Sequence, residues 1–412
     1  MTERKKHIKT TKLDNVGYDI RGPVAEEASR MMAQGIDIKP LNTGNPAVFD
    51  LFAPDFIEQA MRDRLRFSEA YSDSIGIPEA REAIAKYSLS KGIKGVSDND
   101  VITGNGVSEL ISLTIQALLD NGDEILIPSP DYPLWTSVAT LCGGKVVHYM
   151  CDENSDWLPD IADIRSKVSN NTKAIVIINP NNPTGALYPK EILEQMLQVA
   201  RENNLIVFSD EIYDRLVMDG HEHIATASLA DDLLFVTLNG LSKSHMIAGF
   251  RCGWLSFSGA IEDSKDYIDG VKMLVSMRMC ANVPAQMVIK AALENPYSAS
   301  ELLLPGGRIY EQRECIYRAI NDIPGISAVK PKAAFYIFPK LDIKKFNITD
   351  DEKFVLDFLH EHHVLMTHGR GFNYPYPDHF RIVYLPEVAE LKDIAGKMRV
   401  FLKDYIQNDT II

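Results

Sequence analysis

Through the middle of the chain, short and nearly unbroken apolar runs alternate with stretches whose apolar residues recur at helical spacing. The runs are Glu124-Ile-Leu-Ile127, Lys145-Val-Val-His148, Ala174-Ile-Val-Ile-Ile178, Leu205-Ile-Val-Phe208 and Leu233-Leu-Phe-Val-Thr-Leu238. Strands that lack polar alternation suit a mostly parallel sheet covered on both faces. The segments between them, such as Pro189 to Asn203, complete a β-α alternation. The pattern predicts a doubly wound α/β domain over about residues 54–295.

A different rhythm follows. Helical spacing runs from Ile309 to Asn321 and short apolar segments occupy Ala334–Phe338, Val364–Met366 and Phe380–Tyr384. A final helix begins near Val388. This predicts a smaller α+β domain over residues 296–412. Residues 1–53 hold Pro23, Pro40, Pro46 and several glycines, which predicts a mostly irregular arm wrapped on the smaller domain. A length of 412 residues accommodates more than one core.

Composition narrows the function classes. Apolar residues at 45% and charged residues at 24% are globular values. The net charge of -14 disfavours nucleic-acid binding, and the basic run Arg4-Lys5-Lys6 is too short to reverse it. No apolar leader segment and no apolar run of about 18 residues predicts secretion or membrane insertion. Cys142, Cys151, Cys252, Cys280 and Cys315 are scattered without metal-ligand spacing, which predicts no metal and fits a reducing cytoplasm.

Open α/β sheets place their chemistry at the carboxyl ends of strands, where this sequence is unusual. Asn179-Pro-Asn-Asn-Pro-Thr-Gly185, Ser209-Asp-Glu-Ile-Tyr213 and Asn239-Gly-Leu-Ser-Lys243 each follow an apolar run. Val101-Ile102 leads into Thr103-Gly-Asn-Gly-Val-Ser-Glu109, a glycine-rich entry to a helix that offers backbone N–H groups to an anion. Its third fingerprint glycine is missing, so it is not a dinucleotide-binding turn. A lysine attacks carbonyls when burial or a nearby cation lowers its pKa. Lys243 with Arg251 eight residues on therefore suggests an imine-forming lysine beside an anion.

Together, Asn179–Gly185, Ser209–Tyr213 and Ser242-Lys243 followed by Gly249-Phe-Arg251 resemble the signature blocks of class I/II, fold-type I aminotransferases, in the family's order and over nearly the whole chain. More narrowly, Tyr18-Asp-Ile-Arg-Gly-Pro-Val24, Asn42-Thr-Gly-Asn-Pro46, Asp131-Tyr-Pro-Leu-Trp135 and Arg278-Met-Cys-Ala-Asn-Val-Pro-Ala285 resemble the bacterial alanine transaminase branch. The resemblance implies a large domain with a seven-stranded, mostly parallel sheet between helices. It also implies pyridoxal 5'-phosphate as cofactor.

Residue by residue, the resemblance makes Lys243 the covalent anchor of the cofactor and Asp210 the partner of its pyridine nitrogen. It sets Asn182 and Tyr213 on the phenolic oxygen and Tyr132 against the ring. The phosphate falls to Gly106, Val107, Ser108, Ser242 and Arg251. Many relatives carry a serine three residues before the lysine, where this chain has Gly240. Tyr71 resembles the tyrosine that reaches the neighbouring subunit's phosphate, which implies a homodimer with shared sites. Arg381 resembles the clamp for the substrate α-carboxylate, with Gly44 at the small end of the pocket and Tyr18 closing over it.

Aspartate-specific relatives use an arginine at the position of Met277, so its absence points to L-alanine exchanging with 2-oxoglutarate, with Arg278 a candidate for the longer glutamate. Three alternatives share the blocks. They are an aspartate or broad-specificity aminotransferase, a C–S lyase of the same fold, and a binding protein without turnover.

Overall fold

The computed structural model describes residues 7–295 and 299–408, so the Arg4-Lys5-Lys6 run lies outside the described residues. Eight strands form the main sheet: β1 Val101–Asn105, β2 Glu124–Ser129, β3 Lys145–Asp152, β4 Leu158–Pro159, β5 Thr172–Ile178, β6 Ile206–Asp210, β7 Leu234–Gly240 and β8 Cys252–Gly259. Their spatial order is β1-β8-β7-β6-β5-β2-β3-β4. The five central strands β7, β6, β5, β2 and β3 run parallel. β8 runs antiparallel between β7 and β1. The eighth strand beyond the expected seven is β4, a two-residue edge strand paired with β3.

The unbroken apolar runs are explained by helices on both faces. Ile125, Ile127, Val176, Phe208, Val236 and Leu255 pack with Leu110, Ile111 and Val275 on one side. Leu126, Ile175, Ile177, Val207 and Phe235 pack with Ile84, Leu193 and Met196 on the other. Alternate residues of one strand thus enter separate cores, so both faces stay apolar apart from a few small hydroxyl residues such as Ser209 and Thr237.

A third core joins the two ends of the chain. Val24, Ala28 and Met31 pack with Phe354, Phe358, Phe380, Leu391 and Met398. Lys39–Pro40 pairs in parallel with Val364–Leu365. The N-terminal segment is more regular than its prolines predict, because Pro23 starts an 11-residue helix, Pro23–Ala33. In the first helical position the missing N–H costs no hydrogen bond, so proline initiates here where in mid-helix it would break. Among the described residues, no helix is long and apolar enough to cross a membrane.

Candidate active site

Asp210 ends β6, Lys243 lies in the four-residue helix Leu241–Ser244 that follows β7, and Asn182 lies in the turn after β5. Tyr132 follows β2, and Gly106 joins β1 to the helix Val107–Gln116. Parallel strands end on the same edge, so these exits converge. They meet the N-terminal segment and the strand Phe380–Val383 around a cavity of about 690 Å³. Tyr18, Gly44, Val107, Ser108, Tyr132, Asn182, Asp210, Tyr213, Ser242, Lys243, Arg251 and Arg381 all line it.

Lys243 is half-buried, and its Nζ donates to the Gly44 carbonyl at 2.6 Å. Burial lowers its pKa, and the Arg381 and Arg251 charges push the same way, against an opposing pull from Tyr336. The amine is therefore biased toward its neutral, nucleophilic form. Asp210 shows the opposite response, since burial pushes its carboxyl up to about 6. Among the described residues its only donors are the Trp135 indole Nε1 and the Ile212 amide, both at 3.3 Å. No cation stands among the causes of that shift. A buried carboxylate without a positive partner is costly, so this position suits a cationic ligand group.

Tyr213 hydrogen-bonds the Tyr336 hydroxyl at 2.6 Å. Burial, then the neighbouring Tyr336, raise its phenol well above the usual range, so it remains a proton donor. Arg381 donates through Nη1 to Asn182 Oδ1 at 2.8 Å and through Nη2 to the Asn42 carbonyl. Its guanidinium is sandwiched 4.4 Å from the ring centres of both Tyr336 and Phe372, which offsets part of its desolvation. Its Nε is buried with no hydrogen-bond partner.

At the other end of the cavity, Gly106 adopts φ 79°, and a Cβ there would sit 2.2 Å from Arg251 Nη2. Arg251 has a left-handed backbone, φ 57°, after the turn Ala248–Phe250. It hydrogen-bonds the carbonyls of Ala248, at 2.8 Å, and Asn105, at 3.4 Å. A guanidinium beside a helix N-terminus, kept open by a glycine, is a cradle for a phosphate-sized anion.

A family model described as aminotransferase class I and II matches residues 37–397. The chain belongs to this family. This aminotransferase is 55% identical over 399 residues to the glutamate-pyruvate aminotransferase AlaA of Haemophilus influenzae, covering 97% of this chain and 99% of that protein. It is 50% identical to an alanine aminotransferase of Mycobacterium tuberculosis over 97% and 93% of the two lengths. A crystal structure of an aminotransferase from Escherichia coli matches with a TM-score of 0.97 at 52% identity, covering 98% of this chain and all of that one.

Four expected positions of this aminotransferase lie apart from the cavity lining or are committed elsewhere, the first being Gly106, which stands next to the lining residues Val107 and Arg251. Tyr71 is 80% exposed and borders a separate shallow hollow with Asn105, Cys280 and Asn282. Arg278 donates through Nη2 to the Thr103 carbonyl at 2.7 Å and the Ser74 carbonyl at 3.3 Å, bracing β1 instead of facing the cavity. Met277 is exposed. Conversely, Trp135, Tyr336 and Asn42 act on site residues and drew no role from the sequence. Tyr336 sits within the apolar segment Ala334–Phe338, Trp135 only closes the Asp131–Trp135 block, and the Asn42 contribution is a backbone carbonyl that no side-chain pattern reports.

Proposed function

We propose that this aminotransferase binds pyridoxal 5'-phosphate and exchanges the amino group between L-alanine and 2-oxoglutarate, giving pyruvate and L-glutamate. The observation that carries this reading is the Lys243 amine, its pKa lowered, in one cavity with the buried Asp210 carboxylate, which has no cationic partner among the described residues. Both features are unfavourable by themselves and both are relieved by one ligand with a carbonyl carbon and a protonated ring nitrogen.

The residues present fit that group. Lys243 is its covalent anchor, and Asp210 pairs with the ring nitrogen. Asn182 and Tyr213 meet its phenolic oxygen, and Tyr132 covers the ring. Gly106, Val107, Ser108, Ser242 and Arg251 hold the phosphate. The partner subunit's Tyr71 completes that phosphate site in a homodimer, which agrees with the exposure of Tyr71 in the single chain. When bound, the cofactor supplies an electron sink for charge left at the substrate Cα.

Arg381 binds the substrate α-carboxylate, its plane held by Asn182 and the Asn42 carbonyl. Lys243, released when the substrate amine takes its place, would carry the proton from Cα to the cofactor carbon it had held, and would run the same transfer backwards in the second half reaction. Tyr18, whose hydroxyl meets that of Tyr132 at 2.9 Å, covers the cavity and limits water. We divide the chain into an arm over 1–53, a large domain over 54–295 and a small domain over 296–412, with the arm and small domain closing on the large one. The activity is placed in the cytoplasm. The names of the relatives at 50–55% identity support alanine and glutamate as the amino donors.

The test joins spectroscopy to a donor panel. Protein incubated with pyridoxal phosphate should gain a visible absorption band that Lys243→Ala abolishes. L-alanine with 2-oxoglutarate should yield pyruvate faster than L-aspartate yields oxaloacetate. A colourless wild-type protein, or pyruvate released from cystathionine with no oxo-acid acceptor, would overturn the proposal.

A further inference from the structure

Ping-pong exchange puts two unlike substrates into one pocket. Alanine ends in a methyl group, whereas glutamate and 2-oxoglutarate carry a second carboxylate. That group loses water on entering the cavity and needs a donor or cation in return, but nothing fixed may stand where the alanine methyl sits.

Among the described residues, four cationic side chains line the cavity: Arg21, Lys243, Arg251 and Arg381. Lys243 is bonded to the Gly44 carbonyl, Arg251 braces the turn beside Gly106, and Arg381 is bonded to Asn182 and the Asn42 carbonyl. Arg21 differs. It is exposed, and among the described residues its guanidinium has no hydrogen bond or ion pair.

Its backbone, in contrast, is tethered on several sides. Arg21 ends the turn Asp19–Arg21, whose Ile20 is buried in the large core. The Asn42 side-chain Nδ2 donates to the Ile20 carbonyl at 3.5 Å, and Asp19 faces His368 Nε2 at 3.5 Å. Ser137 Oγ donates to the Gly17 carbonyl. A guanidinium on a flexible stem therefore projects from a fixed base at the rim of the cavity. The other nearby candidate, Arg278, is committed to the carbonyls of Thr103 and Ser74.

We infer that Arg21 is the specificity-determining residue that pairs with the distal carboxylate of a five-carbon dicarboxylic substrate and stands aside for a small apolar one. The inference rests on the alanine–glutamate reading above. Arg381 takes the α-carboxylate in both half reactions, and Arg21 engages in only one of them. Its reach and lack of a resident partner let it serve glutamate without obstructing alanine.

The two half reactions of the loaded enzyme test this when measured separately in wild type, Arg21→Gln and Arg21→Lys. Arg21→Gln should lower kcat/KM for glutamate and 2-oxoglutarate about 10- to 100-fold, the loss expected for one charge-assisted pair, chiefly through KM. Values for alanine and pyruvate should stay within about twofold, a change too small for any lost charged contact. Arg21→Lys should keep part of the glutamate rate. Glutarate, a dicarboxylate that cannot react, should bind Arg21→Gln more weakly by the same factor in calorimetry. The melting temperature should match wild type because the side chain is unpaired. Equal losses for alanine and glutamate, or unchanged glutarate binding, would overturn the role of Arg21. A wild-type enzyme that turns over alanine but neither glutamate nor 2-oxoglutarate would instead overturn the reading on which it rests.

Discussion

The Trp135 indole N–H points at the Asp210 carboxylate, 3.3 Å from Oδ2, and is its one side-chain donor among the described residues. An indole only donates, so Trp135 favours the ionised form of Asp210 and cannot relay a proton from it. Trp135→Phe keeps an aromatic ring and deletes that donor. The acid limb of the alanine pH–rate profile should then move up by about one unit, since a hydrogen bond to a charged group is worth roughly 1.5–3 kcal/mol. A profile that falls uniformly at every pH would show that Trp135 acts through packing alone.

Asp210 makes the stability of the cofactor-free protein depend on pH. Burial raises its folded pKa from 3.8 to about 6, so between those values the native state binds more protons than the unfolded state. The contribution is complete at low pH and is lost as pH rises through about 6. Asp210→Asn has no such titration, and its stability relative to wild type should rise by on the order of 3 kcal/mol across that interval. Urea unfolding at a series of pH values measures this. Parallel curves for the two proteins would refute the assignment. Saturation with pyridoxal phosphate should reduce the difference by supplying a cation to the carboxylate.

Gly44 and Tyr336 are packed against each other. A Cβ at Gly44 would lie 2.3 Å from the Tyr336 hydroxyl and 2.9 Å from its Cζ. Gly44→Ala should destabilise the protein by about 1–3 kcal/mol, the usual cost of overpacking. Tyr336→Phe removes the closer atom and should recover part of that loss in the double variant, with a coupling of about 0.5–3 kcal/mol. Thermal unfolding of the four proteins gives the cycle. Strict additivity would mean that the clash is absorbed elsewhere.

Gly106 keeps the anion cradle open. Gly106→Ala places a methyl group against Arg251 and imposes a positive φ on an L residue, a strain of about 1–3 kcal/mol. Affinity for pyridoxal phosphate should fall at least tenfold, a change of about 1.4 kcal/mol, as read by absorbance titration. Undiminished affinity would place the phosphate elsewhere.

Some of this was legible without coordinates because it depends on local chemistry. The apolar runs ending at Ile178, Phe208 and Leu238 mark parallel strands, since a strand buried on both faces cannot alternate. Polar residues after each run mark the sheet edge where ligands bind. The blocks holding Asn182, Asp210, Tyr213, Lys243, Arg251 and Arg381 then pointed to one chemistry, and all six side chains do line one cavity.

Other features have no local signature. The Pro23–Ala33 helix depends on proline occupying a first turn, and its apolar stripe of Val24, Ala28 and Met31 is buried by a core more than 300 residues away in sequence. Trp135 and Tyr336 look like any core aromatic until the sheet and the strand Tyr336–Ile337 bring them to Asp210 and Tyr213. The sequence alone determined the strand rhythm, the order of the signature blocks and the chemical character of the site. Only the tertiary structure decided which charges remain unpaired, because pairing depends on neighbours distant in the chain. It is the fold that commits Arg278 to backbone carbonyls and leaves Arg21, among the described residues, without a partner at the rim of the cavity.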